Sequence, residues 1–169
     1  MNYNFVIVKK TPATTPLDPS KVRLNPEQDD AGTEDESQCL VLVVDDSIDN
    51  LTMISLDLQQ TGYRVVTATN GEEAVKVAAM SNPDLILMDL SMPGVDGLES
   101  TRQIRQSEDL KDIPVIALTA FNTDGFRRAA HQTGFDGYLT KPVDFTRLHD
   151  LMRRLIGLYR SSRAGAKSS

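Results

Sequence analysis

Side chains that could bind a metal ion and a phosphoryl group follow four of the five apolar runs in this chain. They are Asp45 and Asp46 after the first run, Asp89 after the third, Thr119 after the fourth and Lys141 after the fifth. If the runs are parallel strands, their carboxyl ends meet at one edge of a sheet, where sites of such folds lie. Three carboxylates at one edge favour a cation, and oxygen ligands with room for water suit Mg²⁺.

The same cluster suits metal-dependent phosphoryl transfer. Once a cation neutralises the carboxylates, one of them can attack phosphorus and form an aspartyl phosphate. Lys141 and the hydroxyl of Thr119 would then offer charge and a hydrogen bond to the remaining phosphoryl oxygens.

Each of these residues also has an ordinary explanation when it is taken alone. Asp45 and Asp46 could serve only as favourable charges at a helix N-terminus. Thr119 could be a common strand residue and Lys141 a solvated loop lysine. Asp89 is harder to explain in this way, because a carboxylate directly after Leu85-Ile86-Leu87-Met88 is partly desolvated and needs partners. The joint placement at four strand ends therefore carries the hypothesis.

The apolar runs and the stretches between them predict the elements that position these residues. The runs are rich in Val, Ile and Leu and mostly do not alternate with polar residues, which is typical of parallel strands covered on both faces. They are Cys39–Val44, Arg64–Ala68, Leu85–Met88, Pro114–Leu118 and Tyr138–Leu139. Helical periodicity separates them, and Gly62 is a plausible end of the first helix. Five strand–helix units predict an α/β fold, an open, doubly wound parallel sheet with helices on both faces.

Composition predicts one folded domain between two tails. Residues 1–38 contain four of the eight prolines and a run of acidic residues, so we expect a disordered or linker-like tail there. We expect the folded domain at residues 39–158 and a flexible basic tail at residues 159–169. About ten residues after the last helix are too few for a separate output domain, so a stand-alone domain is expected.

Overall charge and apolar content exclude several classes of protein. A net charge of −6 and a pI near 4.9 argue against a nucleic-acid or anionic-membrane binder. The single cysteine, Cys39, cannot form an internal disulfide. No apolar run approaches the roughly 20 residues that span a bilayer. We therefore expect a soluble, cytoplasmic protein.

Four motifs resemble the receiver domain of bacterial two-component response regulators. They are Val43-Val44-Asp45-Asp46, the run from Met88 to Gly97, Leu118-Thr119-Ala120 and the run from Tyr138 to Pro142. The resemblance covers residues 39–158, with all signature positions filled in order. It implies a flavodoxin-like fold, a five-stranded parallel sheet in the order 2-1-3-4-5.

The resemblance also implies a role for each of the acidic residues. Asp89 would be the phosphoacceptor. Asp46 and Asp89 would bind Mg²⁺ directly, Asp45 mostly through water, and the backbone carbonyl of Ser91 would complete the protein ligands.

Three further positions would bind the phosphate or respond to it. Lys141 would pair with the Asp89 carboxylate and later with the phosphate, and Thr119 would bond the phosphate when the domain switches. Tyr138 matches the aromatic switch residue of the family, although it could also be a strand aromatic that packs on the last helix.

The implied partners are a histidine kinase or a histidine phosphotransfer protein, and a downstream protein that binds the face of helix 4, strand 5 and helix 5. The protein would act in a two-component system or phosphorelay as a monomer or as a phosphorylation-dependent dimer. It would catalyse only its own phosphorylation and dephosphorylation. One alternative is a docking or scaffold module that works without phosphorylation. Another is an aspartate-dependent phosphatase, which is disfavoured because Ser91 stands where a second aspartate would be needed.

Overall fold

The computed structural model describes residues 39–92, 97–120 and 123–166. The predicted tail at residues 1–38, residues 93–96, residues 121–122 and the last three residues lie outside these ranges. In the described part, strands and helices alternate along the chain. They are β1 (Leu40–Val44), α1 (Ile48–Gln60), β2 (Arg64–Ala68), α2 (Gly71–Ser81), β3 (Leu85–Asp89), α3 (Gly97–Gln106), β4 (Val115–Thr119), α4 (Asp124–Thr133), β5 (Gly137–Thr140) and α5 (Phe145–Ala166).

The strands form one parallel sheet in the order β2-β1-β3-β4-β5, which confirms the predicted fold class and strand order. Strand β1 pairs with β2 on one side and with β3 on the other, so the winding direction reverses beside β1. This reversal opens a crevice at the carboxyl ends of β1 and β3.

Two apolar layers hold the helices on the sheet. Every residue of β3 and β4 is buried, which explains why these runs do not alternate with polar residues. Residues such as Ile54 of α1 and Leu148 of α5 pack on one face of the sheet. Ala74 of α2 and Ile104 of α3 pack on the other face.

Local capping determines where the first helix begins and ends. Ser47 is the N-cap of α1, and its hydroxyl accepts from the backbone N–H of Asn50 at 3.4 Å. Gly62 follows the helix with a φ of +101°, a left-handed conformation that glycine adopts without a Cβ penalty. The prediction that Gly62 ends this helix is confirmed.

Arg105 links α3 to the α3–β4 and α4–β5 connections, at the amino-terminal ends of the strands and opposite the crevice. Its Nε donates to the carbonyl of Gly134 at 2.9 Å, and its Nη1 donates to the carbonyls of Lys111 and Ile113 at 2.8 and 2.7 Å. Its Nη2 lies 2.7 Å from the carboxylate of Asp136, ahead of β5. One guanidinium therefore joins the α3–β4 connection to the α4–β5 connection.

The last helix is longer than the sequence predicts. The expected folded domain ends at residue 158, whereas α5 continues to Ala166, so residues 159–166 are not the start of a non-helical tail. Tyr159 is buried against the core, and the Ser161 hydroxyl donates to the carbonyl of Gly157 at 2.8 Å. Packing of Tyr159 extends the helix into a stretch whose polar composition suggested fraying.

In the described ranges, no helix combines the length and the apolar character that crossing a bilayer requires.

Thr101 of α3 offers a test of packing in the core. Its side chain is fully buried, and its hydroxyl has no hydrogen-bond partner among the described residues. Valine has almost the same shape without the desolvated hydroxyl, so we expect Thr101→Val to raise the free energy of unfolding by about 1 kcal/mol in urea titrations. Thr52→Val is the control, because the Thr52 hydroxyl is exposed and bonds the Ile48 carbonyl. A loss of stability in Thr101→Val would show that the hydroxyl has a partner, such as an internal water.

Candidate functional site

Three aspartates meet at the carboxyl ends of β1 and β3. Asp45 and Asp46 follow β1, Asp89 is the last residue of β3, and Val44 and Met88 are aligned in the two paired strands. One carboxylate oxygen from each aspartate lies within 4.8 Å of the others. Asp45 and Asp89 are buried, whereas Asp46 is exposed. The cluster is therefore held by the sheet on one side and open to solvent on the other.

Lys141 lies between the two buried carboxylates. Its Nζ is 2.7 Å from Oδ2 of Asp45 and 2.9 Å from Oδ2 of Asp89. The backbone N–H of Lys141 donates to the carbonyl of Thr119 at 2.7 Å, and the Lys141–Pro142 peptide bond is cis. The lysine therefore reaches the carboxylates from the end of β5, across β4.

The environment keeps Lys141 protonated at neutral pH. Burial lowers the pKa of its ammonium, but hydrogen bonds and charge attraction from Asp45 and Asp89 outweigh burial and raise the pKa above its ordinary value. Two of the three carboxylates share one ammonium, so the acidic groups of the cluster outnumber its one cation. Hard oxygen donors with that excess charge, one of them open to solvent, fit a divalent cation such as Mg²⁺.

Asp89 is held by one bond to each carboxylate oxygen. Its Oδ1 accepts from the backbone N–H of Ser91 at 2.9 Å, and its Oδ2 faces Lys141. Ser91 itself is exposed, just beyond the end of β3. The Asp89 carboxylate is therefore oriented before any ligand arrives.

Thr119 and Tyr138 lie on one face of the sheet beside this cluster. Thr119 ends β4 and is fully buried, and Leu118 before it is aligned with Asp89. Tyr138 is aligned with Ala117 and packs partly buried against the same core cluster as Ala117. Because side chains two residues apart share a face of a strand, Thr119 and Tyr138 lie on the same side.

A comparison with known protein families agrees with this geometry. Residues 41–153 match the response regulator receiver domain. The chain belongs to the response regulator receiver family. The resemblance on the four motifs is thus confirmed, and the match covers most of the described residues.

Related proteins and solved structures support this assignment. The polar-differentiation response regulator DivK of Brucella anthropi is 35% identical over 117 residues, which are 69% of this chain and 95% of that protein. The chemotaxis protein CheY4 of Vibrio cholerae is 33% identical with a TM-score of 0.67, over 69% of this chain and 98% of that one. The receiver domain of a sensor histidine kinase from Pseudomonas aeruginosa is 39% identical with a TM-score of 0.66, over 70% and 98% of the chains. That structure has a magnesium ion coordinated in its active-site cleft.

Two residues that sequence reasoning did not select shape the receiver site. Asn50, in the first turn of α1, donates from its side-chain amide to both carboxylate oxygens of Asp45 at 3.1 Å. Gly97 begins α3 where a Cβ would collide with the carbonyl oxygen of Asp89 and lie 2.9 Å from Cγ of Met88. No local pattern marks either role, since both depend on distant parts of the chain meeting.

Gly97 therefore provides a test of how closely α3 must approach the end of β3. We expect Gly97→Ala to lower the free energy of unfolding by about 2 kcal/mol, because the added methyl group must displace the backbone of Asp89. Gly157→Ala is a matched control in α5, where nothing lies within 4 Å of the added atom. Alanine should raise stability there by up to about 1 kcal/mol. Equal effects of the two substitutions in urea titrations would contradict the close approach.

Proposed function

We propose that this protein is a signalling switch that accepts a phosphoryl group on Asp89 from a phosphohistidine. The donor would be a histidine kinase or a histidine phosphotransfer protein. The observation that carries the proposal is the Lys141 ammonium, 2.7 Å from Asp45 and 2.9 Å from Asp89, beside an exposed third carboxylate. Membership of the receiver family supports signalling by phosphorylation.

The proposed metal ligands are Asp46 and Asp89 directly, Asp45 through water, and the backbone carbonyl of Ser91. The acidic cluster supports this assignment, as does the magnesium ion in the Pseudomonas aeruginosa relative. When bound, Mg²⁺ would supply positive charge that offsets the carboxylates and the incoming phosphoryl oxygens.

The transfer requires one bond to form and one to break. A carboxylate oxygen of Asp89 forms a bond to phosphorus, while the phosphorus–nitrogen bond of the phosphohistidine breaks and its electron pair stays on the imidazole. The Lys141 ammonium faces the same carboxylate, so it is placed to stabilise the charge of the phosphoryl oxygens. Catalysis would then depend on orientation and charge already present in the folded domain.

The proposed output depends on Thr119 and Tyr138. The Thr119 hydroxyl would bond the phosphate and move toward it, and Tyr138 would then rotate further into the core. The two side chains share one face of the sheet, and Tyr138 is only partly buried, which supports such a coupled change. A shift between two conformations would alter the surface of α4, β5 and α5, where a downstream protein would bind.

The proposed setting is the cytoplasm, where ATP is available to the histidine kinase that would supply the phosphoryl group. The protein would act there by contact with other proteins, as a monomer or as a phosphorylation-dependent dimer.

Replacing the phosphoacceptor tests the central proposal. We expect Asp89→Asn to abolish incorporation of phosphate from acetyl phosphate with Mg²⁺, measured by intact mass, because the amide is a poor nucleophile. Asp150→Asn, an exposed carboxylate on α5, should be labelled like the wild type. Labelling of Asp89→Asn at the wild-type level would refute the assignment. If a partner protein bound the wild type and Asp89→Asn equally, the alternative of a docking module that works without phosphorylation would gain support.

The exposed aspartate tests the proposed metal ligands. We expect Asp46→Asn to weaken Mg²⁺ binding about tenfold or more, measured by calorimetry, because a charged oxygen ligand is lost. Asp49→Asn is the control, since Asp49 is an exposed carboxylate in the first turn of α1 that lies outside the cluster. If both variants lost affinity equally, the effect would be one of overall charge and not of ligation.

A further inference from the structure

Three groups of the protein donate hydrogen bonds to the carboxylate of Asp45. Its side chain is fully buried, its Oδ1 accepts from the backbone N–H of Ser47 at 2.9 Å, and its Oδ2 accepts from Lys141 at 2.7 Å. The amide of Asn50 adds a contact of 3.1 Å to each oxygen. A carboxylate has about four lone-pair sites. The described donors make four contacts with these two oxygens.

The contact with Asn50 differs from the other two in what it restrains. Ser47 and Lys141 each hold one oxygen of Asp45, whereas the Asn50 amide bridges both. Rotation of a carboxylate about its last bond is otherwise broad and weakly restrained. Asn50 is half-buried in the first turn of α1, and its backbone N–H bonds the N-cap Ser47. The amide thus restrains rotation of Asp45 from a position that is itself held.

We propose that Asn50 is a positioning residue of the receiver site, acting through Asp45 on Lys141. By holding Oδ2 of Asp45 toward Lys141, it keeps the ammonium shared between Asp45 and Asp89. By contacting both oxygens of Asp45, it also favours a contact of Asp45 with the metal through water over direct ligation. This inference rests on the proposed function, since the position of Lys141 matters for phosphoryl transfer.

Loss of the amide has a definite consequence. Without Asn50, the Asp45 carboxylate can rotate away from Lys141, and the ammonium then pairs mainly with Asp89. That pairing holds the nucleophilic carboxylate more tightly and moves the positive charge from its shared position. A role limited to starting helix α1 would have no such effect, because the Ser47 cap uses the backbone N–H of Asn50 and not its amide.

Nuclear magnetic resonance of the metal-free full chain tests the contact directly. We expect the side-chain amide signals of Asn50 to shift strongly in Asp45→Asn, because the charged acceptor is lost. Asp46→Asn, which removes the neighbouring carboxylate outside this contact, should leave those signals nearly unchanged. Equal shifts in the two variants, or no shift in either, would overturn the proposal.

A double-mutant cycle tests whether the contact acts on the reaction. At saturating Mg²⁺, we expect Asn50→Ala to be phosphorylated by acetyl phosphate about tenfold more slowly than the wild type. In the Asp45→Asn background the same substitution should change the rate less than about twofold, since its target is already altered. Gln60→Ala, an exposed amide at the end of α1, is the control and should react at the wild-type rate.

The outcomes separate this inference from the proposed function. A tenfold loss that persists in the Asp45→Asn background, or a rate for Asn50→Ala within about twofold of the wild type, would overturn the positioning role. If the wild type itself took up no phosphate with Mg²⁺, the proposed function would fail, and the role of Asn50 in that reaction with it. The amide signals would then still decide whether Asn50 holds Asp45.

Discussion

One ammonium shared by two buried carboxylates is the interaction on which the site depends. Burying a carboxylate without a partner is costly, and Asp45 and Asp89 are both buried. Lys141 offsets that cost for both, yet it lies 96 positions from Asp45 in the sequence. The arrangement therefore exists only when the sheet is complete from β1 to β5. Folding of the sheet therefore assembles the acidic site.

The sheet meets this requirement through strand order and close packing. Placing β3 next to β1 brings Asp89 beside the acidic pair, and β4 carries the carbonyl that holds the backbone of Lys141. The approach of α3 to the end of β3 at Gly97 leaves no space for a side chain. The charged cluster thus stands on rigid elements, as a site that works by preorganised electrostatics needs.

Most of the fold and the site residues could be predicted because they leave local signals. Apolar runs without alternation marked the strands, and each boundary lay within one residue of the structure, as with Leu85–Met88 against Leu85–Asp89. The sequence did not predict that α5 continues past residue 158, since the stretch after it is polar and small. The burial of Tyr159 that extends α5 depends on contacts that composition does not show.

The sequence by itself determined the chemistry: three carboxylates, a hydroxyl and an amine at strand ends, in the order that receiver domains share. Tertiary structure decided how those groups are used. It buried Asp45 and left Asp46 exposed to solvent, and it placed the amide of Asn50 against Asp45. It also brought the start of α3, at Gly97, against the end of β3. The reason is physical. A residue type is a property of one position in the sequence. Burial and hydrogen bonding depend on distances between segments that are far apart along the chain.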